Sequence, residues 1–351
     1  MLTVGRDGAL LLHGKPYRGI GVNYFDAFQR HLLNEKDTSF EAGFDALAER
    51  GIPFIRFMAC GFWPVEQTLY EVSPKAHFAR LERFVKAAEA RGIGLIPSLF
   101  WNMSTVPDLA GEPCSAWGDT KSRTHTRMHR YTQEVVTRFR DSKALWAWEF
   151  GNEYNLPADL PNAAEHRPQI AVDRGTPSTR TERDELTHDD IRTALKAFGN
   201  EVRRYDKQRL IVSGNALPRP SAWHQLHEKS WKQDDPGQQA EMLLADNPNP
   251  LGTLTIHAYE DFDRVADAQA VARQARKPLF LGEFGVPGAP TPESDKRFTA
   301  MLDGIKRLKI PLSALWVYDF PYQDDYTVTA TNTRRGQLEA VAAANKRLRL
   351  P

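Results

Sequence analysis

Eight short apolar runs, YRGIGVNY, IPFIRFMA, IGLIPSLFW, LWAWEFGNE, RLIVSG, LGTLTIHAY, KPLFLGEFG and PLSALWVYDF, recur along the chain with amphipathic segments between them. Continuous apolar runs of this length suit strands buried on both faces, which occur in parallel sheets covered by helices. The intervening segments carry helical periodicity. In KAHFARLERFVKAAEARG, residues Phe78, Leu81, Phe84, Val85 and Ala88 repeat at helical spacing, and Gly92 stands where a helix would stop. Helices are also expected over FEAGFDALAERG, THTRMHRYTQEVVTRFRD and DDIRTALKAFGNEVRRYD, and over 262–276, 293–308 and 334–348, with one or two more in 221–247. Eight strand–helix units point to a closed (β/α)8 barrel, a fold that takes roughly 250 residues plus insertions. A doubly wound open sheet would carry a glycine-rich phosphate fingerprint after its first strand, and GIGVNYFD is not one.

The expected organisation is one α/β domain over residues 1–351. Residues 1–16 form a hairpin that turns at RDG and again near HGK. The proline- and charge-rich stretch 154–189 reads as a long loop over one barrel face, because the strand–helix alternation resumes in phase beyond it, and 214–240 reads as a second. Net charge is +1 with basic residues dispersed, which argues against nucleic acid or an anionic membrane as the main partner. No apolar run approaches the roughly 20 residues that span a bilayer. The opening MLTVGRDGALLLHGKPY lacks the pattern of a secretory signal, so the expected location is cytoplasmic if residue 1 is the native start, and secreted or periplasmic if a leader has been removed. With only Cys60 and Cys114, no disulfide framework is implied.

A barrel makes a sharp demand on sequence, since its chemistry sits at the C-terminal ends of its strands. The residues closing the runs are Asn23 on the first, Arg56 on the second, Trp101 and Asn102 on the third, Asn152 and Glu153 on the fourth, His257 and Tyr259 on the sixth, Glu283 on the seventh and Trp316 on the eighth. The fourth and seventh strands face one another across a closed barrel, so Glu153 and Glu283 oppose. Two opposed carboxyls with aromatic surfaces around them suit glycoside hydrolysis, in which one holds a proton for the leaving oxygen and the other stays ionised. Arg56 beside one glutamate would keep that one charged, and the Tyr259 hydroxyl would orient it. Asn152 would reach a sugar hydroxyl, and Trp316 would offer a flat face to a pyranose ring.

These motifs resemble a retaining glycoside hydrolase of clan A, most closely family 5, the cellulase and mannanase family, over nearly the whole chain from GVNY to WVYDF. The resemblance implies Glu153 as acid/base, preceded by Asn152, and Glu283 in LFLGEFG as nucleophile. It maps the strand-two arginine onto Arg56, the His-x-Tyr of strand six onto His257 and Tyr259, and the strand-eight tryptophan onto Trp316. Where many cellulases of the family carry a His-containing pair after strand three, this chain has Phe100, Trp101 and Asn102. That departure, with the opening GVNYFDAF, leans toward the mannanase-like side. The implied reaction is double displacement on a β-linked oligo- or polysaccharide of the β-mannan or β-glucan type, with no cofactor or metal. Retention implies carboxyl groups about 5 to 5.5 Å apart.

Competing readings use the same residues. A transglycosylase would share every one of them, and a catalytically silent carbohydrate-binding barrel would ordinarily have lost a carboxylate. A metal-dependent barrel would need several acids or histidines on neighbouring strand ends. Glu149 faces the same way as Glu153, but four residues at about 3.3 Å each place it roughly 13 Å deeper, as a buried partner for an arginine or a polar core group. Trp146 and Trp148 are expected to pack against helices. His125 and His129 have the spacing of a zinc pair, but no glutamate follows the first, and they read as a helix surface. His224 and His227 read as structural. Among Trp63, Trp117, Trp223, Trp231, Tyr322 and Tyr326, some should line sugar subsites.

Overall fold

The computed structural model describes residues 1–259 and 262–348. The opening residues form a small antiparallel sheet of β1 (Leu2–Val4), β2 (Leu10–Leu12) and β3 (Lys15–Pro16), one strand more than a hairpin. The apolar runs then supply eight strands: β4 (Gly19–Asn23), β5 (Phe54–Met58), β6 (Gly94–Phe100), β7 (Ala147–Gly151), β8 (Leu210–Val212), β9 (Leu254–His257), β10 (Leu279–Phe284) and β11 (Leu312–Leu315). All pair in parallel, in the order β8-β7-β6-β5-β4-β11-β10-β9, with helices alternating between them. The result is a nearly closed (β/α)8 barrel.

The ladder is interrupted between β8 and β9, and a side chain bridges the interruption. Asn247 Oδ1 accepts from the Ser213 hydroxyl just beyond β8 at 2.7 Å and from the Thr255 backbone N–H of β9 at 3.1 Å. Buried backbone groups need partners, and this amide supplies one where the sheet does not.

The helices follow the apolar periodicity. Pro74–Ala90 buries Phe78, Leu81, Phe84, Val85 and Ala88, and Gly92 takes a φ of 68°, the left-handed conformation that ends helices and favours glycine. The 221–247 region holds two helices, Ala222–Glu228 and Pro236–Ala245. The loop expected over 154–189 ends earlier, because Thr187 and Asp190 form a reciprocal capping box that starts the next helix at His188. Short helices within loops, such as Ala27–Leu33 and Thr105–Ala110, had no sequence periodicity long enough to announce them.

Two packing expectations are corrected. Trp148 packs outward as expected, but Trp146 turns to the lower end of the barrel. It lies there in a cluster with Leu2, Leu10, Phe54, Ile96 and Phe280, and meets Tyr17 edge-on at 5.5 Å. The N-terminal sheet thus caps the barrel floor, and the Trp146 ring fills that end. His125 is fully buried instead of on a helix surface. Its Nε2 is 2.8 Å from the Trp117 carbonyl, which ties the ring into the core and not to a zinc site with His129. Cys60 and Cys114 are buried and free. Among the described residues, no helix is long and apolar enough to cross a membrane.

Candidate active site

Arg56 of β5 organises the C-terminal mouth of the barrel. It is fully buried and donates in four directions: Nε to both oxygens of Glu149 (2.8 and 2.9 Å), Nη1 to Asn23 Oδ1 (3.0 Å) and Glu283 Oε1 (2.8 Å), and Nη2 to Asn152 Oδ1 (2.7 Å). The strand period of two puts Asn23, Arg56, Glu149 and Glu283 on the inner faces of β4, β5, β7 and β10, so one guanidinium fork ties four strands together across the barrel. Glu149 is the buried arginine partner its depth implied. Asn23 is also fully buried, and its Nδ2 donates to the Gly282 carbonyl at 2.9 Å. It supports the site from below and does not face a ligand.

Glu153 stands two residues beyond β7 and has a φ of 53°. A non-glycine residue in this region carries backbone strain, and such strain gathers at functional positions. Gly214 makes the geometry possible. A Cβ there would lie 1.9 Å from the Gly151 carbonyl, and the Glu153 N–H donates to the Gly214 carbonyl at 2.8 Å. The glycine lets the β8 end press against the β7 end and fixes the glutamate's backbone.

Glu153, His257 and Glu283 converge. His257 Nδ1 is 2.9 Å from Glu153 Oε1 in one hydrogen bond and 3.5 Å from Glu283 Oε1, and one donor atom from each of the three residues lies within 4.8 Å of the others. Tyr259 donates to Glu283 Oε2, so both oxygens of Glu283 accept hydrogen bonds, one from a cation. The Glu153 side chain is 30% exposed and that of Glu283 4%. The three donors make a set that could hold a cation, but the Arg56 charge already occupies the Glu283 flank and repels one.

Burial raises the pKa of Glu153 and Arg56 pulls it back. For Glu283, burial pushes up first, and the charge of Glu153 adds to it, while His257, Arg56 and Tyr259 pull down; the net direction is up. Arg56 thus lowers the pKa of this carboxyl as expected, but desolvation outweighs the guanidinium. Burial holds His257 down to about 3. The imidazole is neutral across the working range, so its 3.5 Å approach to Glu283 is not an ion pair there.

Aromatic rings line the mouth. Trp101 and Trp316 stack at 6.2 Å and 26°, and the Arg56 guanidinium lies 4.4 Å over Trp101. Trp316 Nε1 donates to Gln323, which fixes its ring. Asn152 has spent its oxygen on Arg56, and its Nδ2 has no partner among the described residues. Two hollows open at this face. One, of about 360 Å³, contains Trp101, Asn152, Glu153, Leu156 and Arg219 in its walls; the other, of about 390 Å³, includes Asp26, Trp63, Glu66 and Tyr322. Phe62 borders both. Of the other candidate aromatics, Trp117 is a core residue whose Nε1 donates to the Met103 carbonyl, Trp223 packs on His227, and Tyr326 meets Tyr259 edge-on. His224 is paired to Asp234 at 2.7 Å, a structural role as expected. Phe62 and Arg219 were missed by sequence reasoning; the only signal for Arg219 is its place between two prolines in an expected active-face loop.

Comparison with known proteins supplies the family. The cellulase model, glycosyl hydrolase family 5, matches residues 13–319. Mannan endo-1,4-beta-mannosidase A of Podospora anserina is 38% identical over 80 residues, 21% of this chain and 21% of that protein. Mannan endo-1,4-beta-mannosidase F of Aspergillus clavatus is 30% identical over 145 residues, 35% of this chain and 32% of that protein. The chain thus matches about a fifth to a third of the length of these curated relatives. The solved endo-1,4-beta-mannanase of Rhizomucor miehei superposes with a TM-score of 0.69 over 99% of both chains at 14% identity, a likeness of fold. With most of its length matched by the family model, the chain belongs to glycosyl hydrolase family 5, the cellulase family.

Proposed function

We propose that this protein, acting as one catalytic domain, hydrolyses β-linked oligo- or polysaccharides of the β-mannan or β-glucan type with retention, through a covalent glycosyl-enzyme. The observation that carries the reading is the approach of a Glu153 oxygen to within 4.8 Å of a Glu283 oxygen, with different partners around each. Such closeness supports direct attack on the sugar, because an inverting pair needs roughly 6.5 to 9.5 Å to admit a water between. The mannan-directed activity named for the two curated relatives supports the β-mannan side of the range.

The partners assign the roles. Arg56 and Tyr259 donate to both Glu283 oxygens, an arrangement that suits an anion and aims it. Glu153 faces only a neutral imidazole beside a carboxylate already in place, so the shared pocket favours its protonated form. Glu153 gives its proton to the glycosidic oxygen as Glu283 attacks the anomeric carbon, and the bond to the leaving group breaks. Glu153, now ionised, takes a proton from water, which attacks the same carbon and displaces Glu283. Asn152 offers its amide N–H to a sugar hydroxyl, and the Trp316 face receives the ring.

Reducing-sugar release from β-mannan, β-glucan, xylan and aryl β-glycosides tests this in the wild type, Glu153→Ala and Glu283→Ala. One substrate class should be cleaved by the wild type, with losses of about 10²–10⁴-fold or more in each variant. Activity that survives Glu283→Ala would remove the nucleophile and the mechanism with it.

A further inference from the structure

The hollow beside Glu153 has in its wall a cation, Arg219, that no carboxylate among the described residues neutralises. Arg219 lies between Pro218 and Pro220, in the segment joining β8 to the helix Ala222–Glu228. Proline fixes its own φ and restricts the residue before it, so this backbone is rigid. Arg219 Nη1 is buried without a hydrogen-bond acceptor, and no carboxylate among the described residues pairs with the side chain. Burial alone pushes its pKa down to about 10, with no acid opposing the shift, which leaves it charged at neutral pH. A partly buried charge without a partner is costly, and folded proteins pair such groups. Other arginines near the active face obey that rule: Arg56 meets Glu149 and Glu283, and Arg180 meets Asp108 and Asp184. Nor does Arg219 pair with Glu153, whose hydrogen-bond partner is His257.

Which part of a substrate reaches Arg219 follows from the carboxyls. Glu153 borders this hollow and Glu283 does not. The group that protonates the glycosidic oxygen touches the leaving group, while the nucleophile works from the other side of the anomeric carbon. At about 360 Å³ the hollow falls within the size range of small-ligand sites, roughly 300 to 1,000 Å³.

Resting on the glycosidase reading above, we infer that Arg219 selects an anionic leaving group, a sugar or sugar-like unit bearing a carboxylate or phosphate that the guanidinium fork grips. The planar fork matches both anions in a bidentate way, and a lysine would not reproduce it. The natural substrate class is then an acidic β-glycoside, and plain mannan is a poorer one.

Two measurements test this on the full chain. The first is kcat/KM for β-mannosyl-1,4-glucuronate against β-mannosyl-1,4-glucose, in the wild type, Arg219→Gln and Arg219→Lys. The wild type should favour the uronate by about tenfold or more, the scale of one charge-assisted contact, and Arg219→Gln should bring the ratio close to unity through KM, with Arg219→Lys between them. A wild-type ratio near unity, or a ratio unmoved by Arg219→Gln, would overturn the inference. The second is calorimetric binding of free glucuronate, glucose 6-phosphate and glucose, which needs no turnover and so stands if the hydrolase reading fails. Tighter binding of either anion than of glucose, lost in Arg219→Gln, supports the site and tells carboxylate from phosphate. Equal binding of all three would refute it.

Discussion

At the scale of single residues, Arg56 sets the character of the site by how it divides its charge. It is held between two carboxylates, Glu149 beneath and Glu283 above, both buried. Replacing Glu149 by Gln removes a competing anion, so more of the guanidinium charge falls on Glu283 and its raised pKa comes down. The acid limb of the pH–rate profile should therefore move to lower pH in Glu149→Gln. At the same time kcat should fall by about tenfold, since a loosened Arg56 no longer aims the Glu283 carboxylate. An unmoved acid limb in an active variant would show that Glu149 does not tune the site. The pairing itself was legible, because strand alternation put Glu149 on the inner face and too deep for substrate. The strain at Glu153 and the uncompensated charge of Arg219 were not, since φ and the absence of a partner are properties of the folded chain.

At the scale of elements, the long loop after β7 shapes the hollow beside Glu153. Arg180 anchors it, donating to both oxygens of Asp108 at 2.6 and 2.8 Å, and both side chains are nearly fully buried. Breaking a buried pair from one side costs about 3–5 kcal/mol, because a charge is left unpaired. Arg180→Met should lower Tm by several degrees, open residues 154–187 to limited proteolysis and raise KM more than it lowers kcat. Unchanged cleavage in that loop would mean that other contacts hold it. Helices with long apolar periods were readable to within a residue or two, as at Pro74–Ala90. The anchor was not, because Arg180 and Asp108 lie far apart in sequence and share no local pattern.

At the scale of the whole molecule, eight apolar runs were enough to announce the barrel, since buried parallel strands carry their signal in continuous apolarity. The interruption between β8 and β9 was invisible, because it depends on a side-chain amide replacing a ladder bond. Stability should carry the mark of buried histidine. His77 is fully buried and held down to about 4 by desolvation, with Nε2 3.0 Å from the Tyr131 hydroxyl. The unfolded chain takes up this proton first as pH falls below about 6.5, so the contribution is complete above that value and is lost on the way to 4, a loss of about 3 kcal/mol for a shift of this size. Asp26, raised to about 6, works in the opposite direction and cancels when two proteins sharing it are compared. His77→Gln should thus lose less stability than the wild type between pH 7.5 and 4.5 in chemical denaturation, and parallel losses would contradict the assignment. The central claim is the double displacement by Glu153 and Glu283, and it is tested most directly by proton NMR of the first-formed sugar, observed before mutarotation. The β anomer should appear first and the α anomer should grow in later; an α anomer formed first would mean inversion, and would contradict the covalent intermediate on Glu283.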